Sequence, residues 1–209
     1  KMSDVAKIEV EDKVLTFGKY NSEEVEVGDD GLVRYVNLEN ILTPRSKGRH
    51  TERQFYKSDV PITERLLTHM YVAGHRGNKH YITSGHNAGH SEKLWNIIEE
   101  VFDNIHEETG ENPIQVLVDA IENSAPVEEV VTYQRGGARA RKAVIMAPQR
   151  RVDVALRLLV QGAYEKRLAE SEDAVETLTN ELIGAADGNN EIRAVRTKER
   201  KEREAEGAR

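Results

Sequence analysis

The sequence contains no cysteine among its 209 residues, which excludes disulfides and thiolate metal sites. It also lacks any apolar run near the ~20 residues that a membrane-spanning helix needs. Charges are mixed into the first ten residues, where a secretory signal would be apolar. We therefore expect a cytoplasmic protein without membrane contact. The length favours one buried core with terminal extensions over two full domains.

Cations are also in deficit, since 30 lysines and arginines face 37 acidic side chains and give a net charge of −7. This balance at first argues against a polyanionic partner, because phosphate binding needs cations. The distribution reverses that argument: acidic residues dominate 1–40 and 165–181, whereas cations dominate two other stretches. These stretches contain Arg45, Lys47, Arg49, Arg53 and Lys57, and then Arg135, Arg139, Arg141, Lys142, Arg150, Arg151 and Arg157. Such segregation is typical of a protein that binds nucleic acid on one face; the alternative is an ordinary solvated surface.

Apolar residues recur at helical spacing over most of the chain after Pro61. The strongest pattern predicts one buried helical stripe, with Ser91 as its N-cap and Gly110 just beyond its end; the stripe consists of Leu94, Ile97, Ile98, Val101, Phe102 and Ile105. Similar patterns predict helices from Pro61, Pro113 and Pro148, another that closes near Gly188, and a charge-alternating helix over 191–209.

The first 43 residues have a different character. Short β-leaning pieces, Val25 to Val27 and Val33 to Leu38, are separated by a turn-prone Gly-Asp-Asp-Gly sequence. We expect an acidic N-terminal extension over 1–43 with short strands, lying outside the core.

Between Pro126 and Pro148 the pattern predicts a β-hairpin that turns at Gly136-Gly137. Its cations flank the turn, away from the core. A ribbon of this kind can present several guanidiniums, which match phosphate oxygens and stack on exposed bases. Gln149-Arg150-Arg151 then opens a helix, where the N-terminal dipole attracts phosphate. The alternative is a hairpin whose arginines only keep a sheet edge soluble.

The sequence leaves two other classes of function open. A cluster of histidines, His69, His75, His80, His86 and His90, is compatible with a metal-dependent hydrolase, but it lacks the ligand spacing of a structural zinc site. A helix-turn-helix DNA binder would need a recognition helix with exposed polar readers, whereas the best helices here carry core residues. The common phosphate-loop and hydrolase motifs are absent from the sequence. We expect no catalytic site, no metal and no cofactor.

Several sequence motifs resemble one known family. They are the run from Thr109 to Val118, the run from Ala120 to Pro126, Gly48-Arg49-His50, Pro61-Ile62, Gly136-Gly137 and the run from Ala147 to Asp153. Together they resemble the universal small-subunit ribosomal protein seven family in its archaeal and eukaryotic branch. The resemblance runs from about Phe17 to the C-terminus.

The resemblance implies an all-α fold of about six helices, with a β-hairpin protruding between the third and fourth. It also implies a non-enzymatic role: binding the 3′ major domain of small-subunit ribosomal RNA, nucleating assembly of the subunit head beside neighbouring ribosomal proteins, and placing the hairpin near exit-site tRNA and messenger RNA. We accordingly divide the chain into the extension 1–43, a helical RNA-binding domain 44–188 with its hairpin at 126–148, and a charged C-terminal helix 189–209. The candidate RNA-binding residues are Arg45, Lys47, Arg49, His50, Arg53, Lys57, Arg135, Arg139, Arg141, Lys142, Gln149, Arg150 and Arg151.

Overall fold

A computed structural model of the protein describes residues 14–74 and 87–209, apart from the side chains of Arg135 and Glu170. Over these ranges the chain forms six α-helices and a two-stranded antiparallel hairpin. The elements are α1 Ile62–Met70, α2 Ser91–Thr109, α3 Pro113–Ser124, β1 Glu128–Arg135, β2 Ala138–Ile145, α4 Pro148–Glu170, α5 Ala174–Ala186 and α6 Arg193–Glu206. The hairpin lies between α3 and α4, so the predicted fold class is confirmed.

The helix ends follow from local chemistry. Gly110 follows α2 with a φ of 73°, in the left-handed region that glycine adopts without strain. Asn112 caps α3 by accepting a hydrogen bond of 3.1 Å from a first-turn backbone N–H, and Pro113 occupies the first turn. The predicted N-cap of α2 is displaced by one residue, because Ser91 is the first helical residue and His90 holds the cap position.

The core lies where α5 packs against α2, α3 and α4. The predicted stripe of α2 faces this core, with Ile98, Val101, Phe102 and Ile105 fully buried. None of the described helices combines the length and apolar composition that a membrane span requires.

The N-terminal extension differs from the prediction. Over 14–43 the chain forms a 3-10 turn at Val33–Tyr35 and isolated bridges instead of strands. Leu32 is fully buried in the main core, and Phe17 packs against Trp95 with ring centroids 4.6 Å apart. The expectation that this segment lies outside the core is therefore wrong: its apolar side chains are inserted singly as anchors, and this requires no regular backbone.

Replacing Leu32 with alanine tests the anchoring. The substitution leaves a cavity in the core, so we expect it to lower the free energy of unfolding by about 2–5 kcal/mol in chemical denaturation. Val33→Ala is the matched control, because the neighbouring Val33 is exposed, and it should change stability by no more than about 0.5 kcal/mol. Equal effects of the two substitutions would show that the extension contributes nothing to the core.

Candidate nucleic-acid interface

The hairpin separates its cations onto two faces. In the strand register Arg139 lies opposite Gln134 and Arg141 opposite Thr132, whereas Lys142 lies opposite Val131. Because side chains alternate along a strand, Arg139 and Arg141 share one face and Lys142 occupies the other. All three are exposed, and none forms an ion pair with a carboxylate of the described chain. Arg135 ends β1 at the turn.

The base of the hairpin is held to the helical body by ion pairs. Glu129 accepts two hydrogen bonds from the Arg150 guanidinium, at 2.8 and 3.0 Å, and lies 3.6 Å from the Lys201 ammonium of α6. Hydrogen bonding from Arg150 lowers the pKa of the Glu129 carboxyl. Arg209 pairs with Glu128 at 2.7 and 2.8 Å. Arg150, a predicted RNA contact, thus also fixes the direction in which the hairpin projects.

Arg151 lies inside the protein. Its guanidinium donates to the Asp29 carboxylate at 2.6 Å and to the Pro126 carbonyl at 3.2 Å. Burial alone would raise the pKa of Asp29, but Arg151 and the Gly31 backbone N–H lower it overall. This arrangement joins the N-terminal extension to the start of α4 and gives Arg151 a structural role. Gln149, in the first turn of α4, is partly exposed beside it.

The basic segment before α1 is organised by a buried carboxylate. The backbone N–H groups of Arg45 and Ser46 donate to Glu64 at 3.1 and 2.9 Å. Arg49 donates to the carbonyls of Ser46 and Arg45 at 3.2 and 2.8 Å, while the Arg45 guanidinium pairs with Glu39. The segment is therefore fixed in place although most of its side chains are exposed.

Two other cations of this segment, Lys47 and Arg53, are exposed and have no carboxylate partner within the described ranges. The Arg53 guanidinium lies 5.4 Å from the centre of the Tyr56 ring. His50 is half-buried between them in the sequence. The Lys47 and Arg53 side chains are therefore accessible to an external anion.

Lys57 belongs instead to an internal charge network centred on Asp153 of α4. Its ammonium lies 2.9 Å from one carboxylate oxygen, and Arg65 of α1 lies 2.9 Å from the other. The Arg65 guanidinium also donates to the Tyr35 carbonyl at 2.6 Å, and His69 approaches Asp153 at 3.7 Å. Burial alone would raise the pKa of Asp153, but His69, Lys57 and Arg65 together hold it well below its usual range. Burial lowers the pKa of His69, which favours the neutral imidazole.

The structure also brings together a cationic groove that the sequence analysis missed. A cavity of about 720 Å³ lies between α4 and α6. Its lining contains two carboxylates, Glu165 and Glu191, and a larger number of cations, namely Arg150, Arg157, Lys166, Arg193, Arg196, Arg200 and Lys201. Arg157 and Arg196 are exposed and contact no carboxylate of the described residues. We call this surface the α4–α6 groove. Arg193, Arg196 and Arg200 recur at helical spacing, a signal hidden by the alternating charges of the helix from Lys198 onward.

The predicted histidine loop lies mostly at 75–86, outside the described residues. Of the remaining members of the cluster, His90 is exposed and His69 belongs to the Asp153 network. Over 14–74 and 87–209, no three or more His, Asp or Glu side chains are arranged to hold a metal ion.

Exposed cations are gathered at the hairpin, the basic segment and the α4–α6 groove, although the net charge of the chain is −7. This distribution is typical of proteins that bind a polyanion over part of their surface. Comparison with known proteins identifies the family. A family model described as ribosomal protein S7p/S5e matches residues 36–209. The small ribosomal subunit protein uS7 of Nanoarchaeum equitans is 42% identical over 197 residues, covering 94% of this chain and 100% of that protein.

Two further relatives carry the same name, small ribosomal subunit protein uS7. The protein of Methanococcoides burtonii is 39% identical over 92% of this chain and 98% of its own length. The protein of Halobacterium salinarum is 40% identical over 96% of this chain and 90% of its own length. The chain therefore belongs to the ribosomal protein S7p/S5e family, which confirms the resemblance found in the sequence.

Asp153→Asn tests the internal network. The Arg65 side chain is 1% exposed, so loss of its counter-charge should cost about 3–5 kcal/mol of unfolding free energy at neutral pH. The folded-state pKa of Asp153 is depressed, so its stabilisation is present above the ordinary aspartate value of about 4 and is lost as pH falls below it. The variant should therefore lose part of the acid sensitivity of the parent, as measured by thermal unfolding between pH 2 and 7. Asp59→Asn, at an exposed position, is the control; equal effects would contradict the assignment.

Proposed function

We propose that the protein is a structural constituent of the small ribosomal subunit that binds ribosomal RNA through three cationic surfaces. They are the hairpin tip, the segment from Arg45 to Arg53, and the α4–α6 groove. The observation that carries the proposal is the hairpin, which projects exposed cations beyond any carboxylate of the described chain. Cations left exposed on a rigid support are available to phosphate, because no internal partner has to be displaced.

The predicted RNA-binding residues fall into two groups, according to whether the side chain is taken up by a carboxylate of the chain itself. Arg151 and Lys57 are engaged with Asp29 and Asp153, so we assign them to the fold. Arg150 and Arg45 have both roles, since each keeps a carboxylate partner, Glu129 and Glu39 respectively, while its side chain stays exposed. The residues that we propose for direct RNA contact are Arg45, Lys47, Arg49, His50, Arg53, Arg135, Arg139, Arg141, Lys142, Gln149 and Arg150, with Arg157 and Arg196 added from the groove.

Within the subunit we propose that the helical body binds the 3′ major domain of the RNA and helps to nucleate assembly of the head, beside neighbouring ribosomal proteins. The hairpin would then meet exit-site tRNA and messenger RNA. The family resemblance supports this placement. The clamped hairpin base is compatible with it, because a fixed ribbon can reach RNA at a distance from the body. The protein acts by binding, so we assign no catalytic step to it.

Changing Arg135, Arg139, Arg141 and Lys142 together to alanine tests direct contact. Each neutralised phosphate contributes about 0.7–0.9 to the slope of log affinity against log salt, so the slope measured with a ribosomal RNA fragment should flatten by roughly 3. The thermal unfolding temperature should stay nearly constant, because exposed hairpin tips hold few packing contacts. The variant with lysine at all four positions is the matched control and should keep the slope.

Two results would contradict the hairpin assignment: an unchanged salt slope, or a clear loss of thermal stability in the alanine variant.

The parent should also prefer the folded RNA fragment to duplex DNA of equal length, because double-stranded RNA is recognised through its shape and its 2′-hydroxyls. Equal affinity for both would argue against the ribosomal role and for a general DNA binder.

Arg157→Ala together with Arg196→Ala tests the groove separately. We expect the salt slope to flatten by about 1.5 without loss of folding stability, because the two side chains contact no carboxylate of the described chain and each would neutralise one phosphate. Arg203→Ala with Lys19→Ala removes the same charge from cations that already have carboxylate partners and should leave the slope unchanged. Indistinguishable salt slopes for the two variants would exclude direct contact between the α4–α6 groove and RNA.

A further inference from the structure

Phe55 combines an unfavourable backbone conformation with an exposed apolar side chain. Its φ is 71°, in the left-handed region that costs a non-glycine residue roughly 1–2 kcal/mol. Its side chain is nevertheless 53% exposed, so the strained backbone gains little burial in return. Backbone outliers of this kind persist where the surrounding structure enforces them, and they cluster at ligand sites.

Phe17 provides an internal comparison. It also has a positive φ, of 56°, but its ring packs against Trp95 and Phe102 with centroids 4.6 and 5.6 Å away. Core packing therefore explains the conformation of Phe17. No aromatic contact of this kind is found for Phe55 among the described residues. The conformation of Phe55 directs a large apolar ring toward solvent within the most cationic part of the N-terminal half.

The surface beside Tyr56, the residue that follows Phe55, contains a small cavity. It measures about 230 Å³, and its lining includes Arg45, Arg49, His50, Tyr56, Asp59 and Glu64. Sites that enclose drug-sized ligands have volumes of about 300–1,000 Å³, so this cavity is smaller than such sites. Besides the two arginines and the Tyr56 ring, the lining contains two carboxylates, of which Glu64 already accepts the backbone N–H groups of Arg45 and Ser46. This lining suits a small group that carries both polar and apolar atoms.

His50 supplies a second, independent observation. Its Nδ1 atom is buried and has no hydrogen-bond partner among the described residues. A buried polar atom left without a partner costs free energy, and most such atoms in native proteins are paired. Because His50 also lines the cavity beside Tyr56, a ligand group placed there is the candidate hydrogen-bond partner for this atom. The strained backbone of Phe55 and the unpartnered Nδ1 of His50 thus lie on the same short segment.

We propose that this segment holds an unpaired nucleotide of the RNA, with the base stacked on Phe55 and the adjoining polar part of the nucleotide in the cavity at His50. This deepens the proposed function and rests on it. A single-stranded nucleotide supplies all three required features, namely a flat aromatic face for the ring, hydrogen-bonding groups for His50, and a phosphate for Arg45 and Arg49. A paired base offers no free face, so the site selects unpaired positions.

Phe55→Asn separates stacking from folding. Asparagine tolerates the left-handed conformation, so the variant should unfold at the same or a higher temperature than the parent. Its affinity for a ribosomal RNA fragment containing unpaired nucleotides should fall about 5- to 150-fold, the loss that corresponds to one stacked base. The salt slope should not change, because no charge is removed.

Two controls complete the measurement. Phe55→Trp retains a stacking ring and should keep the affinity, whereas Leu168→Asn removes a comparably exposed apolar side chain from α4 and should have no effect. On a fully paired RNA duplex of the same length, Phe55→Asn should bind as the parent does.

The outcomes distinguish this inference from the proposed function. If the parent shows no preference for the ribosomal fragment, the proposed function fails. The function stands if the parent binds and the hairpin variant flattens the salt slope. The nucleotide site is nevertheless wrong if Phe55→Asn keeps the parent's affinity, or if it loses as much affinity for the paired duplex as for the fragment with unpaired nucleotides. A lower unfolding temperature in Phe55→Asn would also overturn the site, since it would give the ring a structural role.

Discussion

The carboxylate of Asp153 is the interaction on which the arrangement of the cationic surfaces depends. It lies on α4, where the chain returns from the hairpin, and it binds Arg65 of α1 and Lys57 of the basic segment. Arg65 reaches further, to the Tyr35 carbonyl of the N-terminal extension. One charge thus joins the extension, the basic segment and the helix that carries the hairpin, so the surfaces that we propose for RNA are held in a fixed mutual geometry.

Acidic side chains near the proposed interface act mainly as supports. Glu64 accepts the backbone N–H groups of the basic segment, Glu129 holds Arg150, and Asp29 holds Arg151. Each carboxylate neutralises a cation or a backbone dipole at the base of a projecting element and leaves the more distal cations unpaired. The negative net charge is therefore compatible with a polyanionic partner, because the carboxylates nearest these surfaces are engaged inside the protein and the exposed cations lie beyond them.

The sequence was sufficient for features that depend on local chemistry. Helical spacing predicted the buried face of α2, and the Gly136-Gly137 pair predicted the hairpin turn, because both signals are carried by neighbouring residues. The role of Arg151 was not predictable in this way, since its partner Asp29 lies 122 positions away. A run of cations looks the same in sequence whether or not a distant carboxylate folds against it.

The same limit explains why the N-terminal extension and the α4–α6 groove were misjudged or missed. Leu32 is a single anchor without periodic neighbours, so nothing local distinguishes it from an exposed loop residue. In α6, Glu199 and Glu204 do pair with Arg203 and Arg200, as the alternating charges predict, yet the helix also turns Arg196 toward α4. Whether a charged helix is merely solvated or lines a groove is decided by the helix packed against it, and only the tertiary structure contains that information.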